Sequence, residues 1–495
     1  MSARLTFYGG VDEIGGNKIL LETGRTRVFL DFGMSFGARK DFFSDFLQPR
    51  KVNGLGDHFR LNLLPKNLRG AYRADYLRHM GVQDGERALD GVLVSHAHVD
   101  HIGDLPFLRG DVPILASKGS FAVMAALEAI GGNEYLHWKE TFRLGAKRDG
   151  GTKKLNAQDI AAQPRPTIEY GANEAQVGDV KARGVIEDHS LPGARGILVE
   201  AASARLAYTG DFRFHGRHGE RSRAFVEQAK AFEPDVLLIE GTRADAEGID
   251  SEADVAAALR AEIEATPSLV VAGWPVRDTD RMLSFYDAAR AANRKLCIST
   301  KQAYVLEKLR AAGETELPSL HDAGLRIYVP RRGWGLLGRA GVDRDLGLSE
   351  YREWERPYVE HSNAIFAHEI HDEPDAFVVR VDFFELTQLV DLDPPPGSRY
   401  VHSLTEPFDD EGRLDHARVE NWLRHFGLFP YVHAHASGHA AGPELWEAIR
   451  EIAPRTVVPV HTERHDLFEK NLEPLGIRVA RPQNAMLPGS RPLEF

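Results

Sequence analysis

Cysteine occurs once in the 495 residues, at Cys297. One thiol forms no internal disulfide, and its setting, Lys295-Leu296-Cys297-Ile298-Ser299, reads as a buried packing residue rather than a nucleophile. Long hydrophobic runs are missing too. Nothing reaches the roughly 18 consecutive apolar residues of a membrane span, and the N-terminus has no apolar signal-peptide core. The chain is therefore expected in the cytoplasm, with no membrane contact. A basic excess is also lacking: 61 Lys and Arg stand against 73 Asp and Glu, a formal net charge of −12. That excludes a protein that coats nucleic acid non-specifically, though not one that holds it in a local cleft. No repeat or low-complexity segment appears. At 43% hydrophobic and 27% charged, the composition is that of an ordinary globular protein.

The densest chemistry follows the apolar run Gly91-Val92-Leu93-Val94, in Ser95-His96-Ala97-His98-Val99-Asp100-His101. Alternation along a strand brings His96 and His98 to one face, and the following turn carries Asp100 and His101 toward a second ion. One or two histidines here would be a solvated turn. Three histidines and an aspartate suit two metal ions, and imidazole and carboxylate donors without thiolate point to zinc, with manganese as the alternative.

His-x-His-x-Asp-His after a strand resembles the signature of the metallo-β-lactamase fold, an α/β class built as an αββα sandwich. The resemblance implies further ligands at distant strand ends. His189 follows Gly184-Val185-Ile186-Glu187-Asp188, Asp211 ends Leu206-Ala207-Tyr208-Thr209-Gly210, and His461 ends Val457-Val458-Pro459-Val460. It also implies that Asp31, in Val28-Phe29-Leu30-Asp31, orients the site without ligating.

In order, strands at Leu5 to Tyr8, Lys18 to Glu22 and Arg27 to Asp31 predict an opening β-meander. Residues from about Lys40 to Arg87 interleave aromatic and basic side chains, as a packed subdomain or as a lid or stacking surface for bases. A helix is predicted over Ser120 to Ile130, stopped by Gly131-Gly132, and a polar surface loop from Lys139 to Glu174. Basic clusters stand at Arg143 to Arg148 with Lys153-Lys154, and at Arg331-Arg332 with Arg339. From Glu240 to about Leu428, strands and helices alternate, implying parallel α/β units inserted into the first domain. The division is 1–241, an insertion at 242–428, and a return at 429–495.

A metallo-β-lactamase core with such an insertion, and with His435-Ala436-Ser437-Gly438-His439 after it, is similar to the β-CASP nucleases, ribonuclease J and its archaeal relatives above all. The resemblance assigns Glu240, His439 and His461 to motifs A, B and C, and a histidine at motif C implies RNA rather than DNA. It implies two divalent metal ions with water or hydroxide between them. His96, His98, His189 and Asp211 would hold one, and Asp100, His101, Asp211 and His461 the other. His439, oriented by Glu240, would be the general acid, and Ser437 and Gly438 would bind phosphate. The sequence departs from ribonuclease J in lacking the Thr-Gly-Ser-Gln-Gly-Glu-Pro segment, of which His402-Ser403-Leu404-Thr405-Glu406-Pro407 keeps little beyond the end. Only 34 positions follow His461, too few for that enzyme's C-terminal domain, so dimerisation through it and 5′-end sensing are not implied. Oligomeric state stays open, a homodimer included. The rivals are a DNA nuclease, a small-molecule hydrolase on the same core and a non-catalytic binding subunit.

Overall fold

The computed structural model describes residues 3–495 apart from positions 45, 148, 157–158, 203 and 408–409. Arg148 of the first basic cluster therefore lies outside the described residues.

The opening meander forms as expected, with Ala3–Gly9, Lys18–Thr23 and Thr26–Leu30 paired antiparallel. Gly91–Leu93, Ile114–Ala116 and Thr167–Glu169 extend this sheet in parallel, and Leu493–Glu494 closes its other edge. A second sheet runs in the order Ala175–Val177, Val180–Ile186, Arg195–Ala201, Ala204–Tyr208, Val236–Glu240, Thr456–Val460, Arg478–Val479. Period-two alternation welds the two together. Leu5, Ile19 and Val28 of the first face Val199, Leu206 and Leu238 of the second in a fully buried layer. The intervening Leu198, Ala207 and Leu237 point outward, onto Phe225 of helix Gly219–Phe232 and Leu445 of helix Gly442–Ile452. The first sheet's outer face, Leu20, Phe29 and Val92, lies under Val123 and Met124 of helix Lys118–Gly131 and under Leu55, Leu64 and Tyr72. Helix, sheet, sheet and helix are the four layers of the αββα sandwich.

Val236–Glu240 and Thr456–Val460 are adjacent and parallel. Between them the chain builds a third sheet, Ala364–Ile365, Leu325–Tyr328, Lys295–Ser299, Phe377–Arg380, Val270–Gly273, Arg399–His402, Val432–His433, in which every pair is parallel. Parallel strands need crossovers, and helices Glu252–Ala265, Thr279–Ala291 and Thr300–Ala311 supply them. Cys297 packs inside this sheet, where burial pushes its thiol pKa up. Val432–His433 pairs with Val401 and His402, so the inserted sheet continues past the expected boundary at 428. A two-residue strand carries no alternation from which to read it.

The expected loop from Lys139 to Glu174 is a correction. It holds an exposed hairpin, Leu144–Ala146 with Thr152–Lys154, and the edge strand Thr167–Glu169. Both faces of these strands are exposed, which leaves no apolar period to detect.

The inserted domain is pinned to the sandwich by buried charge. Arg213 reaches Asp188 at 3.4 Å, Glu252 at 3.3 Å and Asp280 at 2.6 Å, and donates to the Ser437 carbonyl at 3.0 Å. Arg281 shares Glu252 at 2.7 Å and donates to Ser403 Oγ at 2.6 Å. Both arginine side chains are 0% exposed. Removing one member strands the others without water, so Arg213→Leu is expected to lower the unfolding free energy by about 3–5 kcal/mol. Arg260→Ala, which breaks only the exposed pair to Glu264, should cost less than about 1 kcal/mol. Urea unfolding of the two variants compares them, and equal losses would show that the seam is not held in this way.

Candidate metal centre

Strand Gly91–Leu93 ends before the motif does, so strand alternation is not what gathers the histidines. His96 and His98 lie in the loop beyond it, and Asp100 and His101 on the single helical turn Val99–Ile102 that His98 precedes as N-cap. The turn is clasped from below: Asn17 N donates to the Asp100 carbonyl at 3.1 Å, and Phe32 N to that of His101 at 2.8 Å.

Two donor groups converge, His96, His98, His189 and Asp211 in one, Asp100, His101, Asp211 and His461 in the other, each with its ligand atoms within 4.8 Å of one another. In the first, His98 Nδ1 stands 3.0 Å from both His96 Nε2 and His189 Nε2, and Asp211 Oδ2 lies 3.6 Å from His96 Nε2. In the second, the same Asp211 oxygen is 3.1 Å from His101 Nε2 and 3.6 Å from His461 Nε2, while Asp100 Oδ2 is 3.1 Å from His461 Nε2. Donors about 2.0–2.1 Å from a tetrahedral zinc stand about 3.3 Å apart, so these separations are those of coordination edges. Burial, reinforced by neighbouring positive charge, pushes the His96, His98 and His189 pKa values well below the ordinary histidine value, leaving neutral rings with lone pairs to offer. Burial alone would raise the Asp211 carboxyl, but His101 and His461 outweigh it and hold it well below the usual range. Asp211 Oδ1 is buried and accepts no hydrogen bond. Lone pairs converging at 3 Å and an unpaired buried carboxylate oxygen fit divalent cations.

The rings are aimed by a second ring of contacts. Asp31, at φ 56°, accepts from Ser95 N and Ser95 Oγ at 2.7 Å, from Tyr208 OH at 2.7 Å and from His101 Nδ1 at 2.8 Å, which leaves His101 Nε2 for the ion. Asp31 belongs to neither donor group itself. His189 Nδ1 donates to the Gly438 carbonyl at 2.6 Å. A Cβ on Gly438 would come within 3.0 Å of His189 Cε1, so glycine is what permits this approach. His461, at φ 52°, donates its backbone N–H to the Gly10 carbonyl at 2.9 Å and sets Nδ1 2.8 Å from Thr242 Oγ1. Thr242 and Tyr208 escaped sequence reading. Their signals were a hydroxyl two positions past Glu240 and a phenol in an otherwise apolar inward row.

Beside the metal groups, His439 Nδ1 lies 3.1 and 3.0 Å from the two oxygens of Glu240 and 3.9 Å from Asp211 Oδ2. Glu240 is wholly buried and also accepts from Phe212 N at 3.0 Å. Burial works against a charged His439, but the Glu240 carboxylate and its hydrogen bond prevail and raise the ring pKa to about 9. Ser437 Oγ accepts from His439 N at 3.2 Å, and the Ser437 carbonyl accepts from Arg213 and from His215. Two members of the second basic cluster are spent locally: Arg331 pairs with Asp391, and Arg332 with Glu355 at 2.8 Å.

Residues 68–272 match the beta-lactamase superfamily domain, and residues 432–482, which hold His439 and His461, match the Zn-dependent metallo-hydrolase RNA specificity domain. The chain is 22% identical over 303 residues to ribonuclease J of Corynebacterium glutamicum, an alignment covering 60% of this chain and 34% of that protein. It is 25% identical over 240 residues to an RNase J-like protein of Methanocaldococcus jannaschii, covering 48% and 42%. The match thus spans less than half the length of these relatives. A crystal structure of a protein of unknown function from Enterococcus faecalis superposes over 100% of both chains with a TM-score of 0.69 at 20% identity, a likeness of fold. With its sandwich, its inserted parallel sheet and its paired donor groups, the chain has the metallo-β-lactamase fold with a β-CASP-type insertion and is similar to ribonuclease J.

Proposed function

We propose that this is a metal-dependent ribonuclease, hydrolysing phosphodiester bonds from the 5′ end, internally, or both. It would work with two divalent ions, zinc first and manganese as the alternative, in a metallo-β-lactamase domain (1–241 and 429–495) interrupted by a β-CASP-type domain (242–428, with Val432–His433 added at its edge). A cytoplasmic place fits a chain in which, among the described residues, no helix is long and apolar enough to cross a membrane. The observation that carries the reading is the Glu240–His439 pair set against Asp211. A hydrolase of lactones or thioesters would need the metal groups but no second, carboxylate-backed acid where an inserted domain meets the core. The RNA specificity match over 432–482 and the ribonuclease J relatives support RNA as the polymer.

His96, His98, His189 and Asp211 would hold one ion, and Asp100, His101, His461 and Asp211 the other. Bound there, such ions supply positive charge for the phosphoryl oxygens and lower the pKa of water from 15.7 to about 7. The chain's own groups do the rest. Glu240 keeps His439 protonated at neutral pH by raising its pKa to about 9, and Nδ1 is committed to Glu240, so Nε2–H is the proton delivered to the departing 3′ oxygen. Ser437 accepts from His439 N through Oγ, and its own hydroxyl hydrogen, with the Gly438 amide, is left for a substrate phosphate.

Metal content tests the ion count. Zinc-equilibrated wild type is expected to carry about two ions per chain by mass spectrometry of the metal, Asp100→Ala about one, and Asp211→Asn fewer than either. A wild type with one ion that Asp100→Ala retains would overturn the two-ion reading.

On end-labelled RNA, His439→Ala is expected to lower kcat by about 10²–10⁴-fold with zinc content unchanged. Glu240→Gln removes the charge that raises the His439 pKa, so the ring deprotonates at lower pH and the alkaline limb of kcat moves down from about 9 toward 6.5. Zinc-loaded protein that leaves RNA intact while hydrolysing thioesters or lactones would sink the ribonuclease reading.

A further inference from the structure

The segment between Asp31 and the metal-binding motif is used in two different ways. Residues from Leu55 to Leu77 pack onto the sandwich, with Leu55, Leu64, Tyr72 and Leu77 at 1% exposure or less. Residues 36–52 do not. Phe46 is 100% exposed, Val52 74% and Leu47 60%, with Phe36 and Phe42 also exposed. Large apolar side chains clustered in the open mark an interaction surface.

Positive charge accompanies them. Positions 36–82 hold nine Lys or Arg against four Asp, in a chain whose net charge is −12. The excess gathers in a cavity of about 210 Å³ lined by Arg60, Lys66 and Arg69 with Phe59, Met80 and Val82, and no carboxylate is in its lining. Among the described residues these three cations enter no ion pair, unlike Arg331 and Arg332.

The surface is rooted in the metal centre at one end and in the cavity at the other. Met34 N donates to the Val99 carbonyl at 3.1 Å, and a Cβ on Gly33 would collide with the Asp100 carbonyl, so helix Phe36–Lys40 starts directly against the ligand-bearing turn. Further on, Arg50 pairs with Asp57 at 2.6 Å, on the helix that carries Phe59 and Arg60. The Val52 carbonyl lies 2.8 Å from His79 Nε2, and Leu55 N 3.3 Å from the sulfur of Met80, which lines the cavity.

We propose that residues 36–82 form a track for single-stranded RNA, with Phe36, Phe42 and Phe46 stacking bases beside the cleft and Arg60, Lys66 and Arg69 holding backbone phosphates farther along. Exposed aromatic faces followed along the same segment by unpaired cations at Arg60, Lys66 and Arg69 suit an unpaired strand, because every base stacks and every linkage is anionic. The inference rests on the ribonuclease reading for its choice of polymer, and it assigns the part of the RNA that flanks the cut.

The test compares zinc-loaded His439→Ala protein, which binds substrate while cleaving slowly, with the same protein carrying Arg60→Glu, Lys66→Glu and Arg69→Glu. The probe is fluorescein-labelled oligouridine read by anisotropy. The triple change is expected to weaken Kd by about tenfold or more and to flatten the log Kd against log salt slope by about 2, at roughly 0.7 per phosphate. Thermal midpoints should stay equal. Phe46→Ala, at a fully exposed position, should weaken binding by about tenfold without changing the salt slope. In a wild-type His439 background, the triple variant should lower the ratio of kcat/KM for a long unstructured RNA to that for a dinucleotide. A Kd within about twofold of the parent, or an equal loss from Lys153→Glu with Lys154→Glu on the exposed hairpin, would overturn the track. If wild type cleaves no RNA, the ribonuclease reading falls, and the anisotropy arm still decides whether the track binds a strand.

Discussion

The arrangement on which the rest depends is His98 Nδ1 held 3.0 Å from both His96 Nε2 and His189 Nε2, beside a buried carboxylate oxygen that accepts nothing. Lone pairs turned toward one another at that range repel. The surrounding fold has to impose the geometry, and much of the sandwich near this end does so. Asp31 takes four donors to fix one ring, Gly438 gives up a side chain so that its carbonyl can fix another, and His461 accepts a left-handed backbone so that its ring turns inward. Asp211 Oδ2 is the hub, because it alone belongs to both donor groups and also lies 3.9 Å from His439.

The seam with the inserted domain extends the same constraint. Glu240 and His439 are 199 positions apart in sequence, and an entire parallel sheet is folded between them. Arg213 bridges that interval: it grips Asp188, next to His189 of the first donor group, and the carbonyl of Ser437, next to Gly438. Buried arginines of this kind bring little net stability compared with apolar packing, yet they tolerate only one relative placement of their partners. That placement is what donor groups and a His439–Glu240 pair borne by separate segments require.

Much of this was legible in sequence because the signals were dense or periodic. Four metal-capable side chains within six residues announce themselves, and apolar runs leading to His189, Asp211 and His461 carry both a period and a terminus. Helix limits came within a few residues where caps were present, as at Ser117 and Gly132. What escaped had no period to read. The edge strand Thr167–Glu169 is exposed on both faces, Val432–His433 is two residues long, and Thr242 acts through a single hydroxyl. The strand-alternation account of His96 and His98 failed for a related reason. The apolar run continues to Val94, whose N–H still reaches the Leu115 carbonyl, but the strand ends at Leu93, and His96 and His98 lie in the loop that leads to the turn clasped by Asn17 and Phe32.

The parallel pairing of Val236–Glu240 with Thr456–Val460 bears on biosynthesis. A ribosome releases the chain N-terminus first, and Thr242 must wait for His461, made 219 positions later, before the second donor group closes. Throughout that interval the growing polypeptide carries His96, His98, His189 and Asp211 without the ring that completes the neighbouring group. A nuclease of the proposed kind would thereby be kept incomplete while still tethered to the message that encodes it, by the order in which its strands are laid down.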